Sequence, residues 1–184
     1  MDTLTLLTHR HSEKKLTYPI PDESQLNQMF EAATHVPDHA RLQPYRFIVL
    51  SPEIMPDFQR LLQAGADELN LGESRKQKAE TICQNSPMMI AVIAQLDPDF
   101  EKVPTWEQLA CASCSAYAIQ LAANALGFDN AWLSGKWLES NAVREGLDCA
   151  ENEKIIALIA IGTCTEKSTP KPRKKSLEDL VEYL

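Results

Sequence analysis

Four histidines, His9, His11, His35 and His39, all precede residue 40, and a cluster of that kind raises the question of a metal. His35 and His39 have the i, i+4 spacing of a helical ligand pair, but Pro37 between them breaks the helix that would set both on one face. His9 and His11 stand two apart at a helix end and point in different directions, so no metal site is expected. The run Arg10-His11-Ser12-Glu13-Lys14-Lys15 places cations around a hydroxyl. It suits phosphate or another anion, and it equally suits an exposed charged turn. Lys171, Arg173, Lys174 and Lys175 make the tail locally basic, either as a solvated tail or as anion ligands. Cys111 and Cys114 form a CxxC, but inside a small-residue helix and with no second pair for zinc; they read as buried small hydrophobes. There is no Ser/His/Asp set and no pair of loop carboxylates, and an enzyme without its own acid, base or nucleophile borrows a cofactor.

The element that must hold any such site together is the stretch WEQLACASCSAYAIQLAANALG, Trp106 to Gly127. No charge falls between Glu107 and Asp129, no proline interrupts it, and Gly127 stands where a left-handed residue ends a helix. At roughly 1.5 Å per residue the helix spans about 30 Å, the depth of a small domain or of a bilayer core. Its Ala, Cys, Ser, Gln and Asn content, without basic flanks, gains little from lipid, so the expectation is a helix wrapped by protein on nearly every side.

Around it, Asp2 with Leu4, Leu6 and Leu7 suggests a short opening helix ending near His9. Asp22 and Gln25 resemble a capping box ahead of Leu26, Met29, Phe30 and Ala33, and Pro37 stops that helix. PYRFIVL carries apolar residues on both faces and predicts a central strand. Ser51 and Pro52 open a helix through Phe58, Leu61, Leu62 and Ala66, and the polar NLGESRKQKAETICQ reads as a solvent-facing helix or lid. MMIAVIAQL, NAWLSGKWL and KIIALIAIGTC supply further strands, with a helix at SNAVREGLD. Four apolar strands and five or six helices in alternation predict an α+β or α/β sandwich, helices on both sides of one sheet, with residues 1–184 as a single domain. No Gly-rich loop follows a strand, which weighs against a Rossmann or Walker site.

Composition narrows the class. The 44% hydrophobic and 24% charged content is that of an ordinary soluble globular chain of 184 residues. A net charge of −8 argues against a general nucleic-acid binder. The segment MDTLTLLTHR is too short and polar for a signal peptide, which predicts a cytoplasmic protein with five free cysteines and no membrane association.

Taken in order, Arg-His-Ser-x-Lys near the start, Pro-x-x-x-x-x-Gln-Pro-Tyr-x-Phe after the second helix, a small-residue helix ending Ala-Leu-Gly-Phe, a Trp-x-x-Gly turn and a late Lys-x-Arg resemble the flavin-dependent nitroreductase family. The likeness is strongest to its short bacterial NAD(P)H nitroreductases and covers nearly the whole chain. It implies a nitroreductase-like fold, a mainly antiparallel sheet flanked by helices in an intertwined homodimer, with FMN as cofactor. Arg10 and Ser12, with His11 beside them, would hold the FMN phosphate and ribityl chain, and Lys171 and Arg173 would reach the same phosphate. Lys14 would lie at the flavin pyrimidine edge, where a cation favours the reduced flavin. His35, Pro37, Asp38, His39 and Arg41 would cover the flavin from the partner subunit. Trp132, Leu133, Ser134 and Gly135 match the turn whose backbone faces flavin N5. Chemistry would occur at N5, with no catalytic side chain and no metal.

The chain departs from the family at Asp38, Arg41, Tyr45 and Cys164, where Ser, Asn, Trp and Pro are frequent. Asp38 and Arg41 would change the charge over the flavin and hence substrate preference. A shorter stretch between residues 65 and 105 would leave a more open pocket. The implied activity is ping-pong hydride transfer from NADH or NADPH to a nitroaromatic, quinone or similar acceptor. The same residues would equally serve a protein that stores or senses FMN, and a third alternative is a flavin-free scaffold on the same fold. On the long helix, Ala112, Ser113, Ala116 and Gln120 are expected near the subunit interface.

Overall fold

The structure is a computed structural model that describes residues 2–170, 172 and 174–184. Four strands, β1 (Tyr45–Leu50), β2 (Met88–Gln95), β3 (Asp129–Leu133) and β4 (Glu153–Gly162), form one sheet in the order β1-β2-β4-β3, every pairing antiparallel. The helices are α1 (Thr3–His9), α2 (Glu23–Thr34), α3 (Met55–Glu68), α4 (Glu73–Gln84), α5 (Thr105–Ala125) and α6 (Asn141–Gly146), with 3-10 turns at His39–Arg41 and Lys136–Glu139. Because β2 and β4 alternate side chains between two covered faces, both are apolar except at one end, at Gln95 of β2 and at Glu153 and Lys154 of β4. Met89, Ala91 and Ile93 of β2 face Phe58 and Leu62 of α3, Cys83 of α4 and Val143 of α6. Ile90 and Val92, with Ala157, Ile159 and Ile161 of β4, face Met29 of α2 and Ala116, Ile119 and Ala123 of α5. The sandwich with helices on both sides of one sheet is therefore what forms.

Local signals in the sequence place several ends correctly. Asp22 accepts from the Gln25 backbone at 2.8 Å while the Gln25 side chain accepts from the Asp22 backbone at 3.0 Å, a complete capping box. α2 stops at Thr34, before Pro37. Past the end of α5, Gly127 has φ +91, a conformation open to glycine and strained for other residues.

Two expectations are corrected. β1 is an edge strand, not a central one. Its apolar residues on both faces report the two helical layers: Phe47 stacks on Phe30 of α2 at 5.4 Å between centroids while Ile48 packs against the opposite cluster. Coverage by helices, not by strands on both sides, makes the pattern. The second correction concerns α5, which is open on one face, with Trp106 67% and Tyr117 38% exposed. Beneath that open face Ala112 and Ala116 are fully buried within the chain, as is nearly all of Gln120. Their small side chains bring α5 close to α2 and the sheet, so that Ser115 Oγ donates to the Ala33 carbonyl at 3.1 Å. Gln120 Nε2 donates to Asn130 Oδ1 at 2.8 Å, and Asn130 Nδ2 returns a bond to the Gln120 carbonyl at 3.0 Å, which satisfies a buried amide pair. The CxxC is split in the same way: Cys111 is buried, its thiol pushed up to about 12 chiefly by burial, while Cys114 is exposed.

Among the described residues no helix is long and apolar enough to cross a membrane.

Candidate functional site

Edge strand β3 ends at Trp132-Leu133 and leads into the turn Ser134-Gly135, and beside it lies a cleft of about 260 Å³. Its floor is the sheet itself, at Ala131 of β3 and its paired neighbour Ala160 of β4. Both alanines are themselves buried and give the cleft an apolar base. Lys14 forms one wall, and Lys78, Thr81 and Ile82 of α4 form another. Ser134 opens also onto a second cleft of about 550 Å³ shared with Gly135, Lys136, Arg144 and the start of β4. Gly135 is extended, and a Cβ there would stand 2.9 Å from two atoms of the Trp137 ring. Close approach to a buried indole, not backbone freedom, is what glycine provides at this turn.

The loop bearing Arg10, His11, Ser12 and Lys14 is pinned to the sheet by its one buried member. Glu13 is 4% exposed; its backbone N–H donates to the Asn130 carbonyl at 2.9 Å. Its Oε1 takes the His11 ring at 2.9 Å and the Ser168 backbone N–H at 2.8 Å. Burial pushes this carboxyl up, but the bonds from Ser168 and His11 prevail and hold it below the usual value. His11 is raised, first through the bond between its ring and the His9 carbonyl and then through Glu13. Arg10 and Lys14 border different clefts: Arg10 lines one of about 290 Å³, with His9, His11, Phe128, Asp129 and Lys167. Lys167 pairs with Asp129 at 3.1 Å, and Asp129 also accepts from the Cys164 backbone at 3.0 Å.

The Pro37 loop lies elsewhere, against the N-terminal part of α5, in a cleft of about 290 Å³ that includes Pro37, Asp38, His39, Trp106, Glu107 and Cys114. Three of its non-glycine residues, Ala40, Arg41 and Gln43, have φ of 60, 54 and 48. Strain of this kind persists only where the surroundings impose it. Here Asp38 imposes it, its two carboxylate oxygens accepting from the Leu42 and Gln43 backbones at 3.1 and 2.9 Å. His39 Nδ1 bonds Glu107 at 2.7 Å and ties the turn to α5. Asp38→Ala is expected to lower stability by about 1–2 kcal/mol through the two unpaired amides. Asp38→Asn, which keeps one acceptor oxygen, is expected to lose less in a urea titration.

These features meet a known set of proteins. The Nitroreductase family model matches residues 7–163. The chain belongs to the nitroreductase family. A Haemophilus influenzae protein provisionally named an NAD(P)H nitroreductase is 48% identical over 184 residues, covering 100% of both chains. In shape, the nitroreductase-like family protein of Bacillus cereus superimposes with a TM-score of 0.87 at 18% identity, covering 100% of this chain and 96% of the other. A Bacteroides fragilis nitroreductase solved with bound FMN gives a TM-score of 0.75 at 19% identity, over 98% and 97% of the two chains.

In this member of the family the residues expected at the site fall into separate groups. Lys14, Trp132, Leu133 and Ser134 come together in one cleft, which Gly135 adjoins. Arg10 and His11 share the cleft beyond Glu13, and Ser12 is exposed in the loop between. Pro37, Asp38 and His39 line the cleft on α5, with Arg41 exposed beside them and His35 exposed at the end of α2, its ring bonded to the Glu31 carbonyl at 2.9 Å. Lys171 and Arg173 lie outside the described residues. Asp38, expected to add charge over a cofactor, is occupied with its own loop backbone. Lys78 and Thr81, absent from the expected set, reach the cleft from the polar helix α4. That helix buries little beyond Ala79 and Cys83, and only its composition could have pointed to it.

Proposed function

We propose that the chain is an FMN-dependent oxidoreductase that uses NADH or NADPH to reduce a nitroaromatic, quinone or similar small acceptor, working as a cytoplasmic homodimer. The observation that carries the reading is the cleft on Ala131 and Ala160, apolar at its base and flanked by Lys14 and Lys78. The residues present fit an isoalloxazine ring: a Cβ-deep floor, cations at the rim and the hydroxyl of Thr81. Bound FMN would supply the hydride chemistry, accepting from the nicotinamide and returning two electrons to the acceptor. The protein's part is placement. Ala131 and Ala160 give the cleft an apolar base, Lys14 and Lys78 keep positive charge where negative charge develops, and the Ser134–Gly135 turn borders its mouth. Arg10, with His11 and Lys167 in the cleft it lines, would hold the phosphate.

A homodimer supplies what a single chain leaves apart. The open face of α5, with Trp106, Ala110, Cys114 and Tyr117, is continuous with the Pro37 loop. A partner docked on that face would bring its own loop to the cofactor cleft. Tyr117→Glu, which sets a charge on this face without entering the core, is expected to shift sedimentation to the monomer and to weaken FMN binding at least tenfold. A stable flavin-bound monomer would refute the shared site.

Purified protein supplied with FMN is expected to show a protein-bound flavin spectrum and to oxidise NADH or NADPH when a nitroaromatic or quinone is added. Rapid-mixing reduction by the nicotinamide separates an enzyme from a flavin store, which would bind the cofactor and react very slowly. Absence of both bound flavin and flavin-dependent oxidation would end the reading.

A further inference from the structure

Glu13 is a buried carboxylate that the proposed chemistry does not use. A charged group 4% exposed persists only when it is paired and hydrogen-bonded, because desolvation otherwise outweighs what it contributes. Its partners come from three parts of the chain. Its own backbone holds β3 through Asn130, its Oε1 accepts from His11 in the Arg10 loop, and the same oxygen accepts from the Ser168 amide beyond β4. One residue away from Ser168, Lys167 closes a second tie to Asp129 at the start of β3. Glu13 thus stands where the first and last parts of the chain meet, between the Arg10 loop and a segment that in sequence runs on to Lys171 and Arg173. Arg10, His11 and Lys167 border the cleft beside it, together with Asp129, the partner of Lys167.

We propose that Glu13 is a positioning residue for the phosphate end of the cofactor site, latching the segment after β4 to the Arg10 loop so that cationic groups from both ends of the chain converge on one anion. A single carboxylate oxygen shared by His11 and the Ser168 amide fixes the two segments at hydrogen-bond distance, and a neutral side chain would hold them more weakly. The role is specific to the anion. Ala131, Ala160 and Lys14 lie in a different cleft, so the ring end of the cofactor does not depend on the latch.

The inference rests on the FMN reading, and the experiment separates the two. FMN and riboflavin, which lacks the phosphate, are titrated against the full-length wild type, Glu13→Gln and Ser168→Pro, with binding followed by flavin fluorescence. Ser168→Pro removes the amide donor at an exposed position and leaves the buried carboxylate intact, so it reads the latch even if Glu13 variants fold poorly. Both variants are expected to weaken FMN binding about tenfold, the scale of one charge-assisted bond, and to change riboflavin affinity less than twofold. Equal losses for both flavins, or no loss in Ser168→Pro, would overturn the latch while leaving the FMN site standing. A wild type that binds neither flavin would overturn both.

Discussion

Gly135→Val is expected to reduce FMN affinity at least tenfold and kcat/KM about a hundredfold, the scale of an ångström-size displacement at a reacting centre. The cause is local. A Cβ at Gly135 would lie 2.9 Å from Trp137 Cε2 and Nε1 and 3.2 Å from Cζ2, closer than nonbonded carbon atoms approach. Trp137 has nowhere to go: it is 2% exposed within the core formed with α3, the Arg75 guanidinium lies 5.9 Å over its ring, and its carbonyl accepts from the buried Ser140 hydroxyl at 2.7 Å. The turn must yield instead, and Ser134 moves with it at the mouth of both clefts. Overpacking of this kind costs about 1–3 kcal/mol of stability. Affinity is therefore measured well below the melting temperature of the variant, where the folded fraction is near one. FMN binding unchanged from wild type in a folded Gly135→Val protein would remove the turn from the site.

How much of this could be read in the sequence depends on whether each feature leaves a periodic or chemical mark. The capping pair Asp22 and Gln25 does, and so do the two-sided apolar runs of β2 and β4. β1 misleads because Phe47 and Ile48 are covered by helices on opposite faces, a pattern a central strand shares. α5 misleads because alanine and serine serve equally on a packed and an open face. Ala116 and Ala110 look alike in sequence, yet the first is buried and the second exposed. The Pro37 loop hides its conformation altogether. Ala40, Arg41 and Gln43 have positive φ without a glycine to announce it, and the clamp that imposes it, Asp38, reads as a site charge. Resemblance to the family singled out Lys14 and the Ser134–Gly135 turn, which border the clefts at the end of β3. It passed over Glu13, whose importance lies in contacts with Asn130 and Ser168, far away in the chain.

The acid limit of the fold is expected to be set in large part by Glu153. This carboxylate, 7% exposed at the start of β4, accepts from Arg46 Nε and Nη2 at 2.7 Å each, from Gln95 at 2.9 Å and from the Ala150 backbone at 3.1 Å. Arg46 Nη2 donates also to the Asp148 carbonyl at 2.8 Å. The guanidinium thus reaches from β1 past β2 to β4 and fastens the end of α6 as well. Arg46 first, against the opposing effect of burial, lowers the Glu153 pKa from 4.5 to about 2. The folded value lies below the unfolded one. The contribution is therefore complete above about pH 4.5 and is lost as pH falls towards 2. At neutral pH it is worth about 3 kcal/mol by linkage. Glu153→Gln keeps the shape but removes the counter-charge of the half-buried Arg46 guanidinium, and is expected to cost about 3 kcal/mol at pH 7. Urea titrations of both proteins from pH 7 to pH 3 test the assignment. The wild-type curve should fall towards that of Glu153→Gln as the pH drops, since protonation removes from one protein what substitution has already removed from the other. Two curves that fall in parallel would place the acid-labile group elsewhere.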